Sequence, residues 1–180
     1  VDARELSHYF IARTAAPEDF KMTASGTYDR RDGVSDRETY DALKDAWKAM
    51  KFAKEQMHAI KSVTAALLHA SNLNFVEDGD AADLDPTNVH LTPVCHLLGV
   101  SDVELNEALC RQYIQAGREG VVQRQLDGEK AYKSLEALIK AIYGGLFSYL
   151  VHRINDSISY KDNENTDAWR RPVASIGVLD

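Results

Sequence analysis

The sequence predicts a mainly α fold organised on one long central helix over about residues 130–157, with an exposed hairpin before it and a buried strand at its C-terminal end. Three observations carry this reading. Apolar residues recur at Tyr132, Leu135, Leu138, Ile139, Ile142, Tyr143, Leu146, Phe147, Leu150, Val151 and Ile154, the i, i+3, i+4, i+7 stripe of a helix lying on a core. Ser35-Asp36-Arg37-Glu38 and Ser101-Asp102-Val103-Glu104 both have the spacing of a capping box, in which serine and glutamate side chains satisfy the free N–H groups at a helix start. Pro172 to Leu179 is almost continuously apolar, as are strands covered on both faces of a sheet. Its partner strands are not evident in the chain, so it is expected to join a larger sheet supplied from outside these residues.

In chain order, Ala3 to Ile11 has helical character, and Arg13 to Gly33 is a polar connection with turn chemistry at Pro17, Gly26 and Asp32-Gly33. The first capping box opens a helix that turns Tyr40, Leu43, Trp47 and Met50 inward. Lys54 to His69 forms a second helix through Met57, Ile60, Val63, Thr64, Leu67 and Leu68. Glu77 to Pro86 reads as an acidic surface loop; its acids do not follow the calcium-loop spacing. A helix near Val89–Leu98 ends at Gly99, and the second capping box starts a short one with Val103, Leu105, Ala108 and Leu109 inward. Arg111 to Asp127 interleaves Tyr113, Ile114, Val121, Val122 and Leu126 with glycines, arginines and glutamines, the pattern of an exposed hairpin or irregular loop. Carried between two well-capped helices, it is a candidate contact surface.

The long helix, at about 1.5 Å per residue, would span roughly 40 Å. Glu136, Lys140, His152 and Arg153 interrupt its apolar run, so no transmembrane span is expected there. With 44% hydrophobic and 27% charged residues among 180, the composition is that of a soluble single domain. A net charge of -7 argues against a general nucleic-acid binder. Cys95 and Cys110 have no metal-ligand spacing and are expected as reduced thiols. His58 and His69 lie roughly 16 Å apart along one helix, too far to share a metal; with His96 they offer no spacing for a metal enzyme. No G-x-x-x-x-G-K-[ST], H-E-x-x-H, G-x-S-x-G or C-x-x-C motif is present. Asp180, at the C-terminal end of the apolar strand, is the one acid placed where α/β sheets carry ligand sites. No secretory leader opens the chain, and its ends suggest an excised piece of a longer protein.

The order of pieces resembles part of a myosin motor domain, the upper 50 kDa region by the family's usual name, ending at the start of switch II. Leu67-Leu68-His69-Ala70-Ser71-Asn72-Leu73-Asn74-Phe75 resembles the family's I-L-H-L-G-N-I-x-F. His96-Leu97-Leu98-Gly99-Val100 followed by Leu109-Cys110 resembles its L-G-x…L-C. Ala137-Leu138-Ile139-Lys140-Ala141-Ile142-Tyr143 through Phe147 to Arg153-Ile154-Asn155 resembles A-L-x-K-x-I-Y…L-F…R-I-N, and Ile176-Gly177-Val178-Leu179-Asp180 resembles the strand entering switch II.

The resemblance implies one incomplete domain over residues 1–180, part of an actin-activated Mg-ATPase of the P-loop NTPase type, and a piece that is inactive alone. Asp180 would be the switch II aspartate that holds the Mg of Mg-ATP through water, the nucleotide being bound mainly by segments absent from this chain. The 111–127 excursion would be the family's actin-docking cardiomyopathy loop, with Arg111, Tyr113, Ile114, Arg118, Glu119, Val121 and Arg124 facing the filament; Glu77 to His90 would be loop 4. Alignment forward from Leu109-Cys110 puts Glu119 at the loop's regulatory site as a permanent negative charge, while counting back from Ala137-Leu138 gives Gly120. Tyr113 stands where many members have a basic residue. Implied partners are the actin filament and, through absent segments, light chains or calmodulin, without nucleic acid or membrane insertion. The implied place is the cytoplasm, on the actin cytoskeleton. The alternative is a stand-alone α-helical interaction module without nucleotide chemistry.

Overall fold

A computed structural model describes residues 3–24, 33–115 and 120–159. Among these residues the chain forms seven α-helices, α1 (Ala3–His8), α2 (Lys21–Ala24), α3 (Asp36–Ala49), α4 (Lys54–Ala70), α5 (Leu91–Leu98), α6 (Asp102–Cys110) and α7 (Gly128–Ile158). Two antiparallel hairpins complete it: β1 (Phe75–Asp78) with β2 (Ala81–Leu84), and β3 (Arg111–Gln115) with β4 (Val121–Gln125). The mainly helical expectation holds. The strand expected at 172–179 and the polar lead before it lie outside the described residues.

Both capping boxes form. Ser35 Oγ accepts from the Glu38 N–H at 3.1 Å while the Glu38 carboxylate accepts from the Ser35 N–H at 3.0 Å; Ser101 and Glu104 repeat the exchange. Gly99 ends α5 at φ 70°, ψ 34°, a left-handed conformation that costs glycine little. Asp127 caps α7 by accepting from the Lys130 N–H at 2.9 Å.

The long helix is a strut between two cores. Ala131 and Leu135 belong to the larger one, with Ala70, Leu73, Ala82, Leu84, Leu91, Val94, Leu105, Leu109 and Cys110. About three turns further on, Leu146 and Leu150 pack on a smaller cluster of Trp47, Phe52 and Ile60. Arg153 secures that end, donating to the Lys51 carbonyl at 3.0 Å with its guanidinium over the Phe52 ring. Tyr143, Phe147 and Val151 on α7 are exposed, so the full apolar stripe is not covered by the described residues. By length and composition alone α7 is able to cross a membrane. The charges are spread along the helix, so an eighteen-residue stretch with no more than two Asp, Glu, Lys or Arg remains, a pattern that core helices of soluble proteins share.

Other boundaries differ for physical reasons. The acidic loop expected over 77–86 is largely the β1–β2 hairpin: Asp78 pairs with Ala81, and Gly79 at φ 61° takes the first position of a two-residue turn. Alternation then places Ala82 and Leu84 in the core and leaves Glu77, Asp78 and Asp80 in water. Helix α5 begins at Leu91 rather than Val89, which is exposed, because the Asn88 side chain accepts from the His90 N–H and holds a turn there. Val103, Ala108 and Thr64 face water, and short helical turns at Pro17–Asp19 and Lys21–Ala24 interrupt the expected polar connection.

Candidate functional site

The β3–β4 hairpin projects from the body between α6 and α7. Its register pairs Arg111 with Gln125, Gln112 with Arg124, Tyr113 with Gln123, Ile114 with Val122 and Gln115 with Val121. Because side chains alternate, Tyr113 and Val121 share one face and the Ile114–Val122 pair lies on the other. These residues are 61%, 63%, 40% and 47% exposed, in that order. Among the described residues each strand has one neighbour, which leaves the other backbone edge unpaired there. Apolar side chains exposed on both faces of a projecting hairpin offer a candidate contact surface.

Of the residues expected to make contact, Tyr113, Ile114, Val121 and Arg124 are on the exposed hairpin. Arg111 sits at the root instead, and its guanidinium Nη2 donates to Asp83 Oδ1 at 2.7 Å. Arg118, Glu119 and Asp180 lie outside the described residues. Gly120 has φ 92°, a conformation that disfavours any side chain.

The root contains residues that periodicity did not single out. Asp83 Oδ1 accepts from Asn106 Nδ2 at 2.8 Å as well as from Arg111, and Oδ2 accepts from Gln125 Nε2 at 3.1 Å. The hydrogen bonds from Asn106, Arg111 and Gln125, against some burial, hold the Asp83 carboxyl below its ordinary value. Asn106 Oδ1 in turn accepts from the Leu84 N–H at 2.8 Å. The Ala82 N–H donates to the Leu126 carbonyl at 2.8 Å, and the Leu126 N–H to the Cys110 carbonyl at 2.9 Å. The alternating Ala82-Asp83-Leu84 was the available signal, since it turns one polar residue away from two core neighbours.

His69 and His90 are engaged by contacts within the fold. His69, 2% exposed, donates from Nε2 to the Tyr9 carbonyl at 2.9 Å, so in the neutral ring its Nδ1 must accept. His90 Nδ1, 2.9 Å away, therefore donates, and His90 Nε2 accepts from Asn72 Nδ2 at 3.1 Å. Every ring nitrogen is used with both rings neutral. Burial, with the His69 ring beside it, lowers the His90 pKa. His58 meets the Tyr9 hydroxyl at 3.1 Å, and His96 packs edge-on to Phe10. Among the described residues no group of three or more His, Cys, Asp or Glu is placed to hold a metal. Both cysteines are free, and burial pushes the Cys110 thiol up to about 11.

Residues 3–180 match the family model described as Myosin head (motor domain). The chain is 35% identical over 196 residues to Myosin-17 of Arabidopsis thaliana, a match covering 99% of the chain and 12% of that protein. It is 34% identical over 165 residues to Myosin-2 heavy chain, non muscle, of Acanthamoeba castellanii, covering 91% of the chain and 10% of that protein. With Unconventional myosin-Ic of Mus musculus the identity is 29% over 164 residues, covering 91% and 15%. The chain therefore spans a small fraction of the length of these relatives. The hairpin, the strut and the ordered motifs belong to one framework, and the chain belongs to the myosin motor domain family.

Proposed function

We propose that residues 1–180 are the upper 50 kDa region of an actin-based, ATP-driven motor, and that the β3–β4 hairpin is part of its actin-binding surface. The family match over nearly the whole chain supports the motor; the observation that carries the surface is the projecting hairpin with Tyr113, Ile114, Val121 and Val122 open to solvent. Arg124, and Arg118 and Glu119 beyond the described residues, add charge to this apolar patch. Glu119 is the better regulatory residue, since the positive φ of Gly120 gives glycine a backbone reason to occupy its position.

The Pro172–Leu179 strand would join the P-loop NTPase sheet of the motor, and Asp180 at its end would hold nucleotide-bound Mg through water. No step of ATP chemistry is derived from the described residues, which contain no metal cluster. The segment alone should not turn over ATP. Light chains or calmodulin would engage other segments, and the place of work would be the actin cytoskeleton of the cytoplasm. The exposed side of α7 would pack on the rest of the motor rather than enter a bilayer.

The test is ATP turnover by the whole motor containing this chain, with and without actin filaments. Activation by actin, lost in Asp180→Ala, is expected. Equal turnover with and without filaments would remove the actin reading.

A further inference from the structure

The expected contact residues lie along the hairpin, but a hairpin presents them usefully only if its direction is held. Strands β3 and β4 have five residues each, so the hairpin reaches about 17 Å from its root at about 3.4 Å per residue. A tilt of about 10° at the root would move the far end by about 3 Å, well outside the about 0.5 Å within which a specific contact must be held. Something at the root has to fix the angle.

We propose that Asp83 is that positioning residue: its single carboxylate grips both strands at their first rung and ties them to β2 and α6. Arg111 and Gln125 are cross-strand partners and reach the two oxygens of Asp83 from β3 and β4 respectively. Asn106 reaches it from α6 while its own oxygen holds the Leu84 N–H of β2. The backbone adds the Ala82-to-Leu126 bond, and Arg111 Nη1 donates to the Ala82 carbonyl at 3.3 Å. Above this rung the bonded side chains of the hairpin turn to each other, as Gln123 Nε2 does to the Tyr113 hydroxyl at 3.3 Å. Among the described residues no side chain from Gln112 to Gln115 or from Val121 to Arg124 is hydrogen-bonded to the body. The Arg111 side chain is only 19% exposed, so removing its partner leaves a largely desolvated cation held, among the described residues, only by the Ala82 and Cys110 carbonyls, and a root tied only through backbone groups. The β1–β2 and β3–β4 hairpins thus form one oriented unit. In this role Asp83 acts through the hairpin rather than as a contact residue itself.

This role rests on the reading of the hairpin as the actin contact, and the experiment separates the two. The whole motor is prepared with Asp83→Ala, with the milder Asp83→Asn, which keeps one acceptor oxygen, and with Ile114→Ser/Val122→Ser at the contact. Amide exchange over 111–125 is measured without actin, and ATPase rate against actin concentration. Asp83→Ala should speed exchange in β3–β4 about tenfold and raise the actin concentration at half-maximal rate severalfold, leaving the maximal rate near that of the parent. Asp83→Asn should fall between and serves alone if the alanine variant does not fold. Unchanged hairpin exchange in the Asp83 variants overturns the positioning role, whatever actin does. Unchanged actin dependence in the Ile114/Val122 variant overturns the actin reading, and exchange then still decides whether Asp83 holds the root.

Discussion

The two hairpins share a topology and little else. In β1–β2, alternation places Ala82 and Leu84 in the larger core, and the strands are part of the body. In β3–β4 the apolar residues face water on both sides, and the strands reach outward from a polar root. Burial makes the first a structural element, and lack of burial makes the second available for contact. Apolar content alone does not distinguish them; what each apolar side chain meets does.

The largest expected effect separates them by stability. Leu84→Ala should cost about 2–4 kcal/mol, as a buried leucine does when a cavity is left, whereas Ile114→Ala should stay within about 0.5 kcal/mol. Denaturant unfolding of the two variants checks this, and equal losses would mean that the second hairpin is as much core as the first. The turn glycines sharpen the same contrast. Gly79 and Gly120 both have positive φ, so Gly79→Ala and Gly120→Ala should each cost about 1 kcal/mol. The Gly79 loss should appear in global unfolding, and the Gly120 loss only in amide exchange within 111–125.

Acidification should act on body and root in different windows. The folded-state pKa of His90 is lowered, so its contribution is fully present above the ordinary histidine value and is lost as pH falls through the lowered one. Protonating His90 Nε2 sets it against the Asn72 donor, which also holds the Asp19 carbonyl. The folded pKa of Asp83 is also lowered; its contribution is present above the ordinary aspartate value and is lost only as pH falls below that range. Stability measured from pH 7.5 to 5 should therefore decline in the parent and decline less in His90→Gln, while hairpin exchange, corrected for its intrinsic pH dependence, stays level.

How much of this was legible in the sequence depends on the kind of signal. Helix starts and the strut were readable because capping boxes and 3.6-residue periodicity are local. The β1–β2 hairpin was hidden because the acids of 77–85 dominate its composition, while only Ala82 and Leu84 report its inward face. The hairpin at 111–125 was visible from its mixed apolar and glycine pattern. Its root was not, because Asp83, Asn106, Arg111 and Gln125 meet only after three elements have packed. Nor does periodicity say that Leu146 and Leu150 are covered while Tyr143 and Phe147 on the same helix are not.

The most direct test of the account is co-sedimentation of the whole motor with actin filaments, comparing the parent with Tyr113→Ser/Ile114→Ser/Val122→Ser at matched thermal stability. The account predicts at least about tenfold weaker binding, the effect of losing about 1.4 kcal/mol of apolar contact. Parent-like affinity in the variant would contradict it and assign filament binding to a surface other than this hairpin.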